Sequence, residues 1–356
     1  MLNTSAIQNT PTTSTYTPKP IASPSSTQSE GILSLKNKVL SARMKCMQEI
    51  TRNFQNALEG SKEDKTWLEK GMWYPEDFLD ACVRHQQQKK IDFLVNKENF
   101  FYGFANPKYF EHVMEEDNKT RARFCFRVKK GILASEALNA MTNGLSIGDC
   151  AMAYSVSCYD ALLEIVGKEK FDRIFEGVFS MVIGRPKNKP SPLDLFFQVD
   201  SEKQINIDTK IGYRDVEEGR FYYFDGVKNY YRKFPFDVWG GLNIICVKAT
   251  PGEQLFTCLG LNPEGESEDQ IYTKCVDTFN TVPNPKKGLS EALQTKYHPL
   301  IEQAKRSSVI QATVKDVPGF RNISPNVFRL DLLAALVAAK PEDVNLGFIL
   351  NFSKKK

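Results

Sequence analysis

Histidine is scarce in this chain of 356 residues, with only three copies, His85, His112 and His298. Because histidine is the commonest general acid or base near neutral pH, any catalytic mechanism has few such groups to use. His85 lies in a polar run, which is typical of a solvated side chain. His112 lies in an aromatic segment predicted to form a short helix. It stays a candidate partner of a nucleophile, because distance along the chain says nothing about distance in space.

Long hydrophobic runs and regularly spaced cysteines are also lacking. No stretch is long and apolar enough for a membrane-spanning helix, and the first residues have no apolar segment of a Sec signal peptide. The eight cysteines form no CxxC pair, which favours reduced thiols in a cytosol-like compartment. The net charge is only +4, so no dedicated nucleic-acid surface is expected. We expect a protein without a membrane span, either cytoplasmic or exported by a non-Sec route.

Composition and hydrophobic pattern divide the chain into four regions. Residues 1–30 are rich in Ser, Thr and Pro and predict a disordered tail. Residues 31–98 predict a helical N-terminal region, with helices at 31–58 and 75–95. Residues 99–284 predict the core. Residues 285–356 predict an α/β extension of that core, in the order helix (290–306), strand (309–314), helix (325–339) and strand (346–352).

The stretch from Gly148 to Gly167 combines a clear helical pattern with a candidate nucleophile. Apolar residues recur at helical spacing behind Cys150, and Gly167 ends the pattern as a residue just past a helix does. A cysteine in the first turn lies near unpaired N–H groups and the positive end of the helix dipole. That position predicts a lowered thiol pKa and a reactive thiolate. The alternative is that Cys150 is only a small apolar core residue.

Short β-prone runs follow the cysteine helix and are separated by turn signals at Asp225-Gly226, Gly240-Gly241 and Pro251-Gly252. They predict a small antiparallel sheet. A helix that begins with cysteine and precedes such a sheet has the order of parts of a papain-like core. We therefore expect an α+β fold in which the cysteine-bearing helix packs on the sheet, with further helices N-terminal to it.

Six segments in the same order resemble one known family. Residues 149–153 read Asp-Cys-Ala-Met-Ala, and residues 239–245 read Trp-Gly-Gly-Leu-Asn-Ile-Ile. These segments resemble Glu-Cys-Ala-x-Ala and Trp-Gln-Gly-Glu-Asn-x-Ile of the spore-coat type bacterial transglutaminases, the protein-glutamine gamma-glutamyltransferases. The other similar segments are 102–110, 126–138, 159–165 together with 169–175, and 218–227. The resemblance covers roughly residues 100–261.

The resemblance implies an acyl transfer through a cysteine. The Cys150 thiolate would attack the side-chain carboxamide of a protein glutamine, release ammonia and form a thioester. A lysine or another primary amine would then take the acyl group in a gamma-glutamyl isopeptide link, and water in its place would give deamidation. The implied partners are a glutamine-bearing protein substrate and an amine acceptor. No metal or other cofactor is expected.

The family's pattern is kept only in part. Cys150 matches the nucleophile. The family's glutamate falls on Leu242, its histidine falls near Leu259, and a related Lys-His-Pro has Phe234 in place of histidine. Three positions that are polar in the family are therefore apolar here, and other residues must assist Cys150.

Asp149, Asp237 and Asn243 are the remaining polar candidates. Asp149 or Asp237 would be the acid that protonates the departing ammonia, with a pKa raised by burial, and Asn243 would orient or donate. Each also has a structural interpretation: Asp149 as a helix-start acid, Asp237 as a turn cap and Asn243 as a partner of backbone groups. Three functions stay open: the acyltransferase, a glutamine deamidase or cysteine hydrolase, and a catalytically degenerate protein-binding module.

Overall fold

The structure, a computed structural model, combines helices with small antiparallel sheets. It describes residues 26–60, 105–106, 108–115, 123–143, 148–184, 191–199, 216–235, 240–285, 291–323 and 326–354. The expected mixture of helix and antiparallel sheet is confirmed. The predicted helix at 75–95 and the first 25 residues of the predicted tail lie outside the described residues.

The described helices vary from one turn to ten turns in length. They are α1 Ser26–Gly60, α2 Ala134–Asn143, α3 Cys150–Val166, α4 Lys168–Ile174, α5 Tyr230–Lys233, α6 Glu268–Asn280, α7 Glu291–Lys296, α8 His298–Ser307, α9 Leu330–Ala338 and α10 Leu346–Lys354. The first helix begins at Ser26, so the last residues of the predicted tail, 26–30, are helical.

The described strands are short, apart from one of ten residues. They are β1 Phe110–Glu115, β2 Arg123–Val128, β3 Val182–Ile183, β4 Phe197–Val199, β5 Phe221–Asp225, β6 Gly241–Thr250, β7 Glu253–Thr257, β8 Gly319–Ile323 and β9 Asn326–Phe328. In the described part of the chain they form three sheets, ordered β1-β2-β3, β4-β9 and β7-β6-β5-β8. His112 therefore lies on a strand, paired with Phe126, and not on the predicted short helix.

The four-stranded sheet separates two hydrophobic cores. Its strands alternate sides, as β-structure requires. Phe221 and Ile245 point into the first core, which also contains the buried face of α3. Tyr222 and Ile244 point into the second core, which lies between the sheet and α6. The side chain at any position of β5 or β6 can thus be placed on the α3 side or on the α6 side.

The sequence at both ends of α3 explains why the helix has these bounds. Asp149 has an extended backbone, and its carboxylate accepts a hydrogen bond from the Met152 N–H at 2.9 Å, as an N-cap residue does. Gly167 has a φ of 82°, and its N–H donates to the Leu163 carbonyl at 2.9 Å. Because L side chains rarely adopt that φ, glycine suits the position. The predicted start and end of this helix agree with the structure.

The two strands predicted in the C-terminal region are wrong. The segment at 346–352 belongs to α10, whose start is capped by the Asn345 side chain, which accepts from the Phe348 N–H at 3.0 Å. The segment at 309–314 is not a strand, because the Asn280 side chain takes both the N–H and the carbonyl of Ala312. The strands of this region are instead β8, which pairs with β5, and β9, which pairs with β4.

Candidate functional site

Cys150 is the first residue of α3 and faces β6. The Asn243 side-chain amide donates a hydrogen bond from Nδ2 to the Cys150 Sγ at 3.2 Å. The backbone N–H groups of Asn243 and of Cys150 act on this sulfur electrostatically and favour its thiolate. The side-chain amide of Asn243 is thus in direct contact with a thiol whose residue keeps part of its surface exposed. The structure brings together two of the four predicted site residues, which are 93 positions apart in the chain.

The geometry of the sheet explains why the Asn243 backbone is available. Backbone N–H groups of a strand point alternately to its two neighbours. The Cys246 N–H bonds to the Arg220 carbonyl just before β5, so the Asn243 N–H points to the other side of β6, where β7 runs. The pairing of β7 ends with Thr257 opposite Ile245. The Asn243 N–H therefore lies beyond the last paired residues of β7, at the end of the strand where Cys150 approaches.

The pKa of the Cys150 thiol is raised to about 11. Burial of the thiol is the main cause, and the negative charge of Asp149 adds to it, whereas the hydrogen bonds from Asn243 act in the opposite direction. The prediction of a lowered pKa at this helix start is therefore wrong. Exclusion from water and the neighbouring carboxylate outweigh the N–H groups, and the thiol is protonated at neutral pH.

Asp149 is the N-cap residue of α3, which agrees with its predicted interpretation as a helix-start acid. Its carboxylate is engaged with the Met152 N–H and marks the first turn of α3. Its charge also acts on the adjacent thiol, where it raises the pKa. The two effects are compatible with each other. A role of Asp149 in proton transfer is a prediction that this geometry leaves untested.

The last candidate, Asp237, and the three apolar replacements remain to be located. Asp237 lies outside the described residues. Leu242 is buried in the second core, on the α6 side of the sheet, and points away from Cys150. Leu259 packs against the first core, on the α3 side. Phe234 stacks on Tyr230, with ring centroids 5.0 Å apart. Of the three apolar replacements, only Leu259 is therefore on the same side of the sheet as the cysteine helix.

One residue near the site was missed by sequence reasoning. Tyr223 of β5 is directly opposite Asn243 of β6 and projects from the same face of the sheet. The strand alternation of Phe221, Tyr223 and Asp225 was visible in the sequence, but the register that pairs Tyr223 with Asn243 was not. Register depends on turn and strand lengths that the pattern alone leaves open.

The described residues also bear on two other kinds of site. No group of three or more His, Cys, Asp and Glu side chains in that part of the chain is arranged to hold a metal ion. None of the helices in the described ranges is both long and apolar enough to cross a membrane.

A helix that starts with a cysteine and faces an antiparallel sheet is therefore present, with an amide on the sulfur. Residues 86–248 match the family model TGL, protein-glutamine gamma-glutamyltransferase. This segment contains α3, β5 and the Asn243 end of β6, and the match confirms the resemblance expected from the sequence. The match covers less than half of the chain.

Comparison with solved structures and curated proteins gives weaker similarity than the family model. A solved structure, "Transglutaminase from Geobacillus stearothermophilus (without C-terminal extension)", is similar at 16% sequence identity with a TM-score of 0.45. The similarity covers 87% of this chain and 99% of that one. No match was found among curated proteins.

Proposed function

We propose that this protein is a thiol acyltransferase that acts on glutamine side chains of proteins. It would form gamma-glutamyl isopeptide links to lysine or other primary amines through a thioester on Cys150. The observation that carries the proposal is the hydrogen bond from the Asn243 side-chain amide to the Cys150 sulfur at the start of α3. This constellation lies inside the segment that matches the family.

The chemistry follows from the state of the thiol. Because its pKa is about 11, the thiol keeps its proton until the substrate carboxamide is in place. In the acylation step the sulfur–carbon bond forms, the carbon–nitrogen bond breaks, and the thiol proton ends on the ammonia that leaves. The N–H groups around the sulfur stabilise the negative charge that develops on it. Amides of the first turn, such as that of Ala151, would stabilise the carbonyl oxygen.

The roles of the other predicted residues are part of this proposal. Asn243 orients the thiol and donates to it, and Asp149 or Asp237 acts as the acid or base. The packing of α3 on the four-stranded sheet supports a papain-like core. The division into a tail, a helical region, a core at 99–284 and an extension at 285–356 stays a prediction, and so does the cytoplasmic or non-Sec exported location.

A second function has an observation in its favour. Leu259 places an aliphatic side chain on the α3 side of the sheet where the family has histidine, and the thiol pKa is raised. A catalytically degenerate member that binds a partner protein would have these properties. The deamidase or hydrolase shares the thioester with the first proposal and differs only in its acceptor, which is water.

One assay separates these functions. The protein is incubated with a glutamine-rich protein and a labelled primary amine, and both label incorporation and ammonia release are measured. We expect incorporation that Cys150→Ala abolishes. Cys158→Ala is the matched control, because Cys158 is buried on the same helix two turns further on, and we expect it to retain activity.

The other outcomes are equally specific. Ammonia release without incorporation supports the deamidase. The absence of both, with a folded protein, supports the binding module. Incorporation that survives Cys150→Ala contradicts the proposed mechanism.

A further inference from the structure

β5 carries a tyrosine beside Asn243 on the face of the sheet toward the cysteine helix. Tyr223 pairs with Asn243, and directly opposite residues of antiparallel strands have Cβ atoms about 5 Å apart on one face. Phe221, two residues earlier on β5, packs edge to face against Tyr154 of α3, with ring centroids 4.6 Å apart. Tyr154 lies one helical turn after Cys150. Tyr223 therefore lies on the same side of the sheet as the thiol.

The hydroxyl of Tyr223 lies over Gly241. A Cβ atom added to Gly241 would be 2.0 Å from the Tyr223 hydroxyl oxygen, so the absence of a side chain at Gly241 makes room for the hydroxyl. Gly241 and Asn243 are two residues apart on one face of β6, which corresponds to about 7 Å along the strand. The hydroxyl is next to Gly241 at one end of this interval, and the sulfur accepts a hydrogen bond from the side chain of Asn243, the residue at the other end.

This interval has the length that a reacting carboxamide needs. Its carbonyl carbon has to lie about 3–3.5 Å from the attacking sulfur. Its nitrogen, bonded to that carbon, has to lie about 3 Å from a hydroxyl that donates a proton to it. A carboxamide that spans the roughly 7 Å between these two positions of β6 would meet both distances.

We propose that Tyr223 is a catalytic residue that protonates the ammonia leaving the glutamine side chain. This inference rests on the proposed function and assigns the acid role in acylation to Tyr223 in place of Asp149 or Asp237. The sulfur–carbon bond forms and the carbon–nitrogen bond breaks, with its electron pair remaining on nitrogen. The nitrogen takes the Tyr223 hydroxyl proton, and the resulting phenolate takes the proton of the Cys150 thiol. The net step converts thiol and carboxamide into thioester and ammonia, so that no co-reactant is needed.

The neighbouring positions show why the site needs a proton donor on β5. Leu242 points into the second core, and Leu259 offers only an aliphatic side chain on the α3 side. Neither position has a group that can transfer a proton. Asp149, the nearest carboxylate in sequence to Cys150, is engaged at the N-cap of α3. Tyr223 supplies a titratable hydroxyl on the α3 side of the sheet.

The adjacent Tyr222 provides a matched control. It has the same side chain on the same strand but points to the opposite face, where its hydroxyl accepts a hydrogen bond from the Glu217 N–H at 2.8 Å. Tyr223→Phe and Tyr222→Phe therefore remove the same atom from the two sides of one strand. Any general weakening of β5 affects both variants.

The test compares two acyl donors that differ only in their need for a proton. One is a peptide with a glutamine carboxamide, and the other is a p-nitrophenyl ester of a similar acyl group, whose leaving group departs without protonation. Thioester formation is followed as ammonia or nitrophenol release in the full-length protein. We expect Tyr223→Phe to lose about 100-fold or more on the carboxamide and to stay within about threefold of wild type on the ester. Tyr222→Phe is expected to retain both rates.

Three results overturn the inference. A Tyr223→Phe variant with the wild-type rate on the carboxamide excludes the role of Tyr223 and leaves the proposed function intact. Equal losses on carboxamide and ester show that Tyr223 acts on the structure of the site and not on the proton. A folded wild-type protein that forms no thioester from either donor contradicts the proposed function and the Tyr223 inference together.

Discussion

The Cys150 thiol is subject to opposing effects. Burial and the Asp149 charge raise its pKa, whereas N–H donors from Asn243 and from its own backbone lower it. The result, a pKa of about 11, leaves only a small thiolate fraction at neutral pH. The site thus holds its nucleophile as a thiol and requires proton transfer within the acylation step. That requirement gives the nearby hydroxyl of Tyr223 its proposed function.

Replacing Asp149 by asparagine tests the electrostatic part of this balance. The substitution removes the negative charge beside the thiol, and asparagine is an equally good N-cap residue. We expect the Cys150 pKa to fall, so that alkylation of Cys150 by iodoacetamide at pH 8 becomes about 3–10-fold faster, in proportion to the thiolate fraction. Peptide mass spectrometry resolves Cys150 from the other cysteines.

Asp172→Asn is the control for this prediction. Asp172 accepts from the Ser135 N–H and hydroxyl at the start of α2, where it plays a comparable capping part. Its substitution should leave the alkylation rate of Cys150 unchanged. An Asp149→Asn variant that reacts no faster than wild type would show that the carboxylate charge does not act on the thiol.

The sequence predicted which residues form the site better than it predicted their contacts and the pKa of the thiol. Cys150 and Asn243 were both candidates before the structure, and the structure joins them. The contact between Asn243 and Cys150 depends on how α3 packs on β6, which sequence pattern does not define. The sign of the thiol pKa shift depends on burial, which also comes only from the fold. Tyr223 was missed for the same reason, because its relevance follows from strand register.

At the scale of elements, side chains that hydrogen-bond to backbone groups explain which predicted helices and strands agree with the structure. The limits of α3 were predictable because Asp149 and Gly167 give local signals at both ends. The apolar run at 346–352 is short enough to fit either a helix or a strand, and the cap at Asn345 selects the helix. The segment at 309–314 has strand-like residues, but a contact with Asn280, distant in sequence, determines its conformation.

Two glycines with similar backbone angles are expected to tolerate substitution differently. Gly167 and Gly219 have φ values of 82° and 74°. A Cβ at Gly167 would meet nothing within 4 Å, whereas one at Gly219 would be 2.3 Å from the Leu40 carbonyl oxygen of α1. Gly167→Ala should cost about 1–3 kcal/mol from backbone strain alone. Gly219→Ala should cost more, because α1 must also move.

Urea unfolding of the two variants measures this difference. The free energy of unfolding should fall further for Gly219→Ala than for Gly167→Ala, with the wild-type protein as reference. Equal losses would contradict the close packing of the turn before β5 against α1.

At the scale of the whole molecule, the site depends on residues outside the segment that matches the family. The helix α1 precedes residue 86, yet its Arg43 guanidinium lies 4.7 Å from the centre of the Phe221 ring of β5. Ion pairs join Lys36 to Glu217 and Arg52 to Glu264. C-terminal to the matched segment, β8 extends the sheet by pairing with β5. The family motifs could not show that these outer parts support the same sheet.

Because burial raises the pKa of several thiols, we expect the stability of the protein to depend on pH. Burial raises the pKa of Cys275 to about 11 and that of Cys246 to about 12, in addition to Cys150. The unfolded chain loses these protons from about pH 8.5 upward, while the folded chain keeps them. Stability from these groups is therefore fully present at pH 8 and is lost as the pH rises toward 11–12, by up to about 1.4 kcal/mol per pH unit for each thiol.

Urea unfolding at pH 8 and at pH 10.5 tests this prediction. The free energy of unfolding should decrease at the higher pH, and Cys275→Ala should show a smaller decrease than wild type even though its stability at pH 8 is lower. A wild-type stability that is constant or rises over this range would contradict the protonated, buried state of the thiols.

The most direct test of the central claim is the mass of the acylated protein. Wild type and Cys150→Ala are mixed with a glutamine-bearing peptide in the absence of any amine, quenched in acid and analysed by intact and peptide mass spectrometry. The predicted result is an adduct of the peptide minus ammonia, located on Cys150 and missing from the variant. An adduct that persists in Cys150→Ala, or amine incorporation in wild type without any adduct on Cys150, would contradict acyl transfer through this residue.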